Sequence, residues 1–396
     1  MIQDCYKNYS FNGMNKVMSP AETFMMVYKK LMSLKLLGGF EFRHDRGVAM
    51  CYPYVAVKTN NFLHPMGIDY VFGKGYTTEQ ACISGLMELA ERYSCFKKID
   101  GKEHDYNFPS RRVAGRGILL SSLNEILCEN NDDLYPILKG FKDYDDFYTH
   151  WDAGYDIEGE KVLIPTKVLS RVFYGTNGMC SGNTVEEALL HGMCEVIERH
   201  HQTRVYNQKI ILPEIDKRTI TSPLIRDMLR KFADYNSGRV FLKDFSNGMG
   251  ISVIGVVRES LGQFLVTVAC APSPEDAMLR ALLEAIQINN PKNRVDEKGI
   301  QHLIRTKQKV SYEDLPDLSD RNIKNEIFKI EEILQSNEMK TYFVDCTDNE
   351  LGIPCLQIYI KGAKFNKMAV MGDYHSARDN ILAYLKSIET QLKTTV

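Results

Sequence analysis

Three stretches of this chain carry one pattern without a gap: TTEQACISGLMELAER from Thr77, TVEEALLHGMCEVIER from Thr184 and SPEDAMLRALLEAIQI from Ser273. Each opens on a hydroxyl residue able to cap a helix, and three positions later stand Gln80, Glu187 and Asp276. The first two read as capping boxes and the third as a weaker version. Alanine follows at Ala81, Ala188 and Ala277. Polar groups then recur at i, i+4 and i+7: Ser84, Glu88, Glu91; His191, Glu195, Glu198; Arg280, Glu284, Gln287. That spacing puts each set on one helical face. Most remaining positions are apolar, so each helix offers packing surface nearly all round and one narrow polar stripe. A solvated stripe would mix in lysines as favourable i,i+4 partners. The first two helices have no lysine or arginine before Arg92 and Arg199.

Five carboxylates gathered in one place repel strongly in a low dielectric. Divalent cations are the natural remedy, and oxygen ligands without thiolate companions suit Mg²⁺. Mg²⁺ commonly accompanies nucleotide phosphates, which Arg92, Arg199 and Arg280 would contact. Glycines precede two of the helices, as Gly73-Lys74-Gly75 and as Tyr174–Asn183 (YGTNGMCSGN). Helix starts of this kind read as anion sites through their free N–H groups and dipole. The usual phosphate motifs fail. In GIDYVFGKG, from Gly67, five residues rather than four separate the P-loop glycines, and Gly75 replaces the magnesium-binding hydroxyl. GMGISV at Gly248 lacks the third glycine of a dinucleotide fingerprint. The expectation is a Mg²⁺-nucleotide site that is neither P-loop nor Rossmann.

The rest of the chain supplies the frame. Residues 20–37 (PAETFMMVYKKLMSLKLL) read as an amphipathic helix with Ser19 as N-cap, Pro20 at its first position and Gly38-Gly39 as its end. Strand-like runs are Val48–Lys58, Ile68–Phe72, Val162–Leu169, Val240–Leu242, Ile251–Val257, Phe264–Ala269, Thr341–Val344 and Cys355–Ile360. Helical patterns fall between them, so the class is mixed α/β (α+β). Residues 101–150 read as a surface insertion or subdomain, and no low-complexity linker divides the 396 residues.

A net charge of −2 argues against a strongly basic nucleic-acid binder. No secretory signal and no run of about 18 apolar residues is present. The ten cysteines form no CxxC and no zinc-finger spacing. Cys82, Cys194 and Cys270 lie in apolar runs and read as buried reduced thiols, which points to a reducing cytoplasm. No zinc is expected. His200 and His201 are adjacent and face differently on a helix, which argues against a histidine-based metallohydrolase.

At these residues the chain resembles the YcaO superfamily. The matching elements are Ser84-x-x-x-Glu88-x-x-Glu91-Arg92, then Ser181-Gly-Asn183-Thr with Glu195-x-x-Glu198-Arg199, then Glu284-x-x-Gln287. Weaker matches are Ser19-Pro-Ala-Glu-Thr and the stretch from Thr347 through Gly352-Ile-Pro354. The resemblance spans roughly residues 17–390 and implies one YcaO-type domain, with strands packed against helices. It also implies ATP-dependent activation of a peptide backbone amide. A nucleophile adds to the amide carbonyl, the resulting oxygen takes the γ-phosphoryl group, and phosphate leaves. A Cys, Ser or Thr side chain gives an azoline, sulfide a thioamide, an amine an amidine. By position, Glu91, Glu195 and Glu198, with Glu88 and Glu284, would hold two or more Mg²⁺ ions. Lys74, Ser84, Arg92, Asn183, Arg199, Arg280 and Gln287 would contact ATP.

Azoline-forming members usually end in a proline-rich tail. This chain ends SIETQLKTTV, and Lys361-Gly362 replaces the family's Pro-Gly. It also begins almost directly with the catalytic domain, leaving no room for a fused leader-binding module. These departures point to a stand-alone thioamide-forming enzyme with a sulfur-delivery partner, or to an accessory factor in ribosomal-protein methylthiolation; the resemblance keeps as a further alternative an azoline-forming cyclodehydratase of a peptide natural product, with a leader-binding partner protein. The resemblance implies a peptide or protein substrate and a homodimer.

Overall fold

The computed structural model describes residues 2–11, 14–43, 54–60, 69–101, 105–109, 148–235, 238–260, 262–287, 297–364 and 390. The class is mixed α/β. The strands are β1 (Tyr9–Phe11), β2 (Met14–Lys16), β3 (Leu37–Arg43), β4 (Tyr54–Thr59), β5 (Tyr70–Lys74), β6 (Tyr106–Pro109), β7 (Tyr148–Asp156) and β8 (Lys161–Ile164). They continue as β9 (Met179–Ser181), β10 (Glu214–Ile215), β11 (Val240–Asp244), β12 (Val253–Ser260), β13 (Gln263–Cys270), β14 (Lys309–Val310), β15 (Lys340–Asp345) and β16 (Cys355–Lys361). The longer helices are α1 (Pro20–Ser33), α2 (Thr78–Asp100), α3 (Val185–Gln208), α4 (Pro223–Tyr235), α5 (Pro274–Gln287) and α6 (Ile323–Ser336).

The strands form a β1–β2 hairpin and three sheets. One sheet has the order β3-β4-β5 and another β13-β12-β11-β10-β14; the largest runs β6-β7-β15-β16-β9, with β8 also on β7. Only β10 and β14 pair in parallel among the described strands. The five-stranded sheet is buried on both faces, and alternation along β12 assigns its residues to them. Val253 and Val257 join the main core, whereas Ile254 and Val256 join a second core with α4 and α5. The main core places α2 against β4 and β5, and α3 against β9 and β16. The three matched helices α2, α3 and α5 therefore each sit against a sheet.

The matched caps differ in detail. On α2 the capping box is complete, because Gln80 N–H donates to Thr77 Oγ1 and the Gln80 carboxamide accepts Thr77 N–H. On α3 and α5 only the forward half forms, at 3.2 Å to Thr184 and 3.1 Å to Ser273. Glu187 is drawn off by Asn183 and Val17, and Asp276 accepts from Asn15.

Two element boundaries move. The helix from Pro20 ends at Ser33, and Leu37–Arg43, including Gly38-Gly39, is strand β3. Lys35 takes φ 56°, which stops the helix before the glycines are reached. The glycines instead lie where the register of β3 on β4 shifts. The run Val162–Leu169 is split: β8 ends at Ile164, and Pro165 turns the chain into a short helix and a π-helical turn to Tyr174. Of the stretch read as an insertion, β6 and β7 pair as an antiparallel edge of the largest sheet; residues 110–147 and Val48–Pro53 lie outside the described residues.

All eight described cysteines are free and buried, including Cys82, Cys194 and Cys270. No described helix is long and apolar enough to cross a membrane.

Candidate functional site

Along the middle of α2 and α3, burial reproduces the sequence stripe. Ser84, Glu88 and Arg92 on α2 are half-exposed, as are His191, Glu195, Glu198 and Arg199 on α3, while their other neighbours in these turns are mostly buried. Arg280 and Glu284 are half-exposed on α5. Glu91 is buried, at 6% exposure. These residues open onto one cavity of about 580 Å³ between the three helices. Lys74, Ser84, Glu88, Glu91, Arg92, Asn183, Glu195, Glu198, Arg199, Arg280 and Glu284 all line it. Helix α5 reaches Gln287, whose side chain lies outside the described residues.

Close packing supports this convergence. A Cβ on Gly73 would stand 2.0 Å from Ala81 O, and one on Gly75 2.5 Å from Gln80 Cβ. A Cβ on Gly182 would stand 2.4 Å from Ala188 N. These glycines let β5 and the segment before α3 lie directly on the first turns of α2 and α3. They work as packing residues, a role beside the one the sequence suggests for them. At these helix starts Thr77 caps α2, and Glu187 takes the N–H of Val17 at 2.7 Å and both N–H and Nδ2 of Asn183 at 2.9 Å. Asn183 also accepts from Thr23 Oγ1 at 3.0 Å, so its amide braces the wall.

The charges interlock. Arg92 reaches Glu91 at 3.2 Å and Glu88 at 3.5 Å; Arg199 reaches Glu198 at 3.5 Å; Lys74 pairs with Glu284. Glu195 accepts Gly178 N–H at 3.2 Å. Burial raises the Glu91 carboxyl well above its usual range, with Glu195 and Glu88 adding and Arg92 opposing. Burial likewise lifts Glu198, and pushes Glu195 up to about 7 with help from Glu198. Burial lowers Lys74 to about 8, Arg199 and Arg280 adding to the effect. His191 falls well below its usual value through burial and then through Arg280, Lys16 and Lys74. The cavity thus holds charges of both signs in an environment that disfavours them.

That imbalance fits an anion carried together with cations. Arg199 Nε and Gln80 Nε2, both on cavity-lining residues, are buried with no partner. Among the described residues no three His, Cys, Asp or Glu side chains converge closely enough to hold a metal alone. Mg²⁺ ordinarily takes one or two carboxylates and completes its shell with phosphate and water. Glu88, Glu91, Glu195, Glu198 and Glu284 suit that division.

Sequence reasoning left out Lys7, Asn15, Lys16, Glu187 and Gln202, which also line the cavity. Glu187 stood inside the cap pattern and Gln202 three residues beyond Arg199; the N-terminal residues lie outside the helix repeat and carry no such signal. His200 and His201 face different partners, as expected: Lys364 N–H donates to His200 Nδ1 at 2.9 Å, and His201 Nε2 lies 3.0 Å from Met249 Sδ.

The chain is similar to known proteins over most of its length. Residues 72–364 match the family model described as YcaO cyclodehydratase, ATP- and Mg²⁺-binding. An uncharacterized protein of Methanothermobacter thermautotrophicus is 25% identical over 328 residues, covering 73% of this chain and 80% of its own. The ribosomal protein S12 methylthiotransferase accessory factor YcaO of Escherichia coli is 40% identical over 58 residues, 15% of this chain and 10% of that one. YcaO from Methanopyrus kandleri, solved with AMPPCP and Mg²⁺, superposes with a TM-score of 0.69 at 20% identity over 92% of this chain and 96% of that one. A heterocyclase solved with substrate and cofactor gives 0.74 at 17% identity over 92% of this chain. This chain spans 54% of that heterocyclase. By the extent of the family match and the fold, this chain belongs to the YcaO cyclodehydratase family.

Proposed function

We propose that the protein uses Mg²⁺-ATP to phosphorylate the oxygen of a peptide backbone amide as a nucleophile adds to its carbon, and that the nucleophile is sulfide, giving a thioamide. The convergence of three acidic stripes and their arginines on one cavity carries this reading. Mg²⁺ would neutralise phosphate charge there, as phosphoryl transfer requires more positioning and charge stabilisation than a protein nucleophile. Glu88, Glu91, Glu195, Glu198 and Glu284 would hold two or more ions. Lys74, Ser84, Arg92, Arg199, Arg280 and Gln287 would orient the nucleotide, with Asn183 bracing the wall beside it. Burial of Glu91 and partial burial of the other carboxylates limit water there and strengthen these contacts. Phosphate leaves from the amide carbon as the carbon–sulfur double bond forms.

Sulfide as nucleophile is supported by Lys361-Gly362, which stands at the end of β16 where azoline formers carry Pro-Gly. A sulfur-delivery protein would be the partner, and a homodimer in the cytoplasm the working form. A second reading is an ATP-binding accessory factor in ribosomal-protein methylthiolation, which the short match to the Escherichia coli factor favours. Phosphate release measured with and without candidate peptides separates the two. Peptide-dependent release, with a peptide mass gain equal to exchanging one oxygen for sulfur, supports the enzyme. Basal release alone, with no change in peptide mass, overturns it.

A further inference from the structure

We propose that the side-chain NH₂ group of Gln80 donates a hydrogen bond to a phosphate oxygen of the bound nucleotide, and that the cap of α2 fixes the orientation of this amide. The proposal rests on the Mg²⁺-nucleotide reading above. Gln80, Glu187 and Asp276 hold the same position, three residues after the cap, on the three matched helices, and all three line the cavity. Two of them are already engaged. Glu187 takes the N–H of Val17 and both N–H and Nδ2 of Asn183, and Asp276 takes Asn15 Nδ2 at 3.1 Å. Gln80 alone of the three brings a neutral donor in place of a carboxylate.

The cap decides which way that amide is turned. Gln80 Oε1 accepts from Tyr76 N–H at 2.9 Å and from Thr77 N–H at 3.3 Å. An amide rotated by half a turn would set its NH₂ group against those two donors, so oxygen and nitrogen are not interchangeable here. The oxygen is thus held by the cap, and the NH₂ group is left over on a residue of the cavity wall. Gln80 is 5% exposed, and its Nε2 is buried with no partner. A buried donor left unpaired costs its full desolvation. A ligand oxygen removes that cost.

The neighbourhood points to phosphate. Gly75 packs directly on this residue, since a Cβ there would stand 2.5 Å from Gln80 Cβ. The residue before Gly75 is Lys74, which reaches Glu284 of α5 in an ion pair. Gln80 therefore adjoins the strand end that carries the lysine assigned to the nucleotide, and it adds donors there without adding another positive charge.

The test is calorimetric titration of the full chain with Mg²⁺-AMPPCP and with adenosine, for wild type, Gln80→Glu, Gln80→Ala and Thr77→Ala. Glutamate is a normal residue of a capping box at this position, so Gln80→Glu keeps an acceptor for the cap and replaces only the NH₂ group. Gln80→Ala removes the donor without adding charge. Thr77→Ala breaks the other half of the cap and keeps the donor. Both Gln80 variants should weaken Mg²⁺-AMPPCP binding about tenfold or more, as expected for a hydrogen bond to a charged group, and Thr77→Ala should stay within about twofold. Adenosine, which has no phosphate, should bind all four proteins alike. Gln80 variants within about twofold of wild type would overturn the contact, as would equal losses in Gln80→Ala and Thr77→Ala, because the cap would then be responsible. Adenosine affinity falling as far as Mg²⁺-AMPPCP affinity would place the contact off the phosphates and overturn it as well. Wild-type protein that binds no Mg²⁺-AMPPCP would refute the nucleotide reading and the contact together, whereas wild-type binding with unaltered Gln80 variants would refute the contact alone.

Discussion

Glu198 sits where two opposing demands meet. Burial lifts its carboxyl pKa, while Arg199, Lys74 and Arg280 and the backbone N–H of Cys270 favour the charged form. The carboxylate is therefore poorly solvated, and its value to the molecule lies in a ligand. Glu198→Gln keeps the shape and removes the charge. It should leave the ligand-free melting temperature equal or slightly raised, and lower ATP turnover on the order of 100-fold. Turnover and a thermal melt on the same preparation check this; an unchanged rate at saturating Mg²⁺ would exclude the metal role, and a collapsed melt would make the residue structural. The donor set also forecasts metal content. Carboxylates without convergent thiolates or imidazoles do not select zinc, so elemental analysis of purified protein should find no stoichiometric zinc.

At the scale of elements, the sequence was most legible where one physical rule acts alone. Ser19, Pro20 and Glu22 mark the start of α1, and the observed capping box follows them. The stripe residues were legible because a 3.6-residue period survives any packing. The ends of elements were less so. Two glycines read as a helix stop became strand because Lys35 ended the helix first. Glycines read as phosphate cradles also admit close backbone contact with the helix that follows them, which a glycine in a sequence does not announce. This contact makes a prediction. Gly73→Ala would drive a methyl into the first turns of α2, and overpacking of this kind costs about 1–3 kcal/mol. Because Lys74 moves with β5, the variant should lose nucleotide affinity along with thermal stability. An unaltered melt would contradict the contact.

The end of α3 supplies a pH signature. Burial is the main cause lowering His200 to about 3 and His201 to about 4. Unfolded imidazoles titrate near 6.5, so between that value and about 4 the unfolded chain binds protons that the folded chain does not. Their contribution is full above pH 6.5 and is lost as pH falls through that window. His201→Gln should flatten the acid limb of a stability-versus-pH curve between pH 6.5 and 4; an unchanged limb would mean the ring is not held neutral.

Over the whole molecule, the carboxylates of the site span residues 88–284, and nothing in the sequence states that they meet. Repetition of one stripe on three helices made a common destination the economical reading. The actual wall was only partly legible: Lys7, Asn15 and Lys16 enter it from an N-terminal segment that Glu186, Glu187 and Asn322 tie down. Such tertiary ties leave no periodic trace. The central claim is that the three helices share one Mg²⁺-nucleotide. The most direct measurement is a thermal melt with Mg²⁺-ATP, with Mg²⁺ alone and with ATP in EDTA, repeated on Glu284→Ala. Ligand at about 100 times Kd should stabilise the fold by roughly 2.7 kcal/mol. Mg²⁺ alone should give less, ATP with EDTA little, and Glu284→Ala a reduced Mg²⁺-ATP shift. Equal shifts with and without Mg²⁺ would contradict the shared metal site, and an undiminished shift in Glu284→Ala would remove the third helix from it.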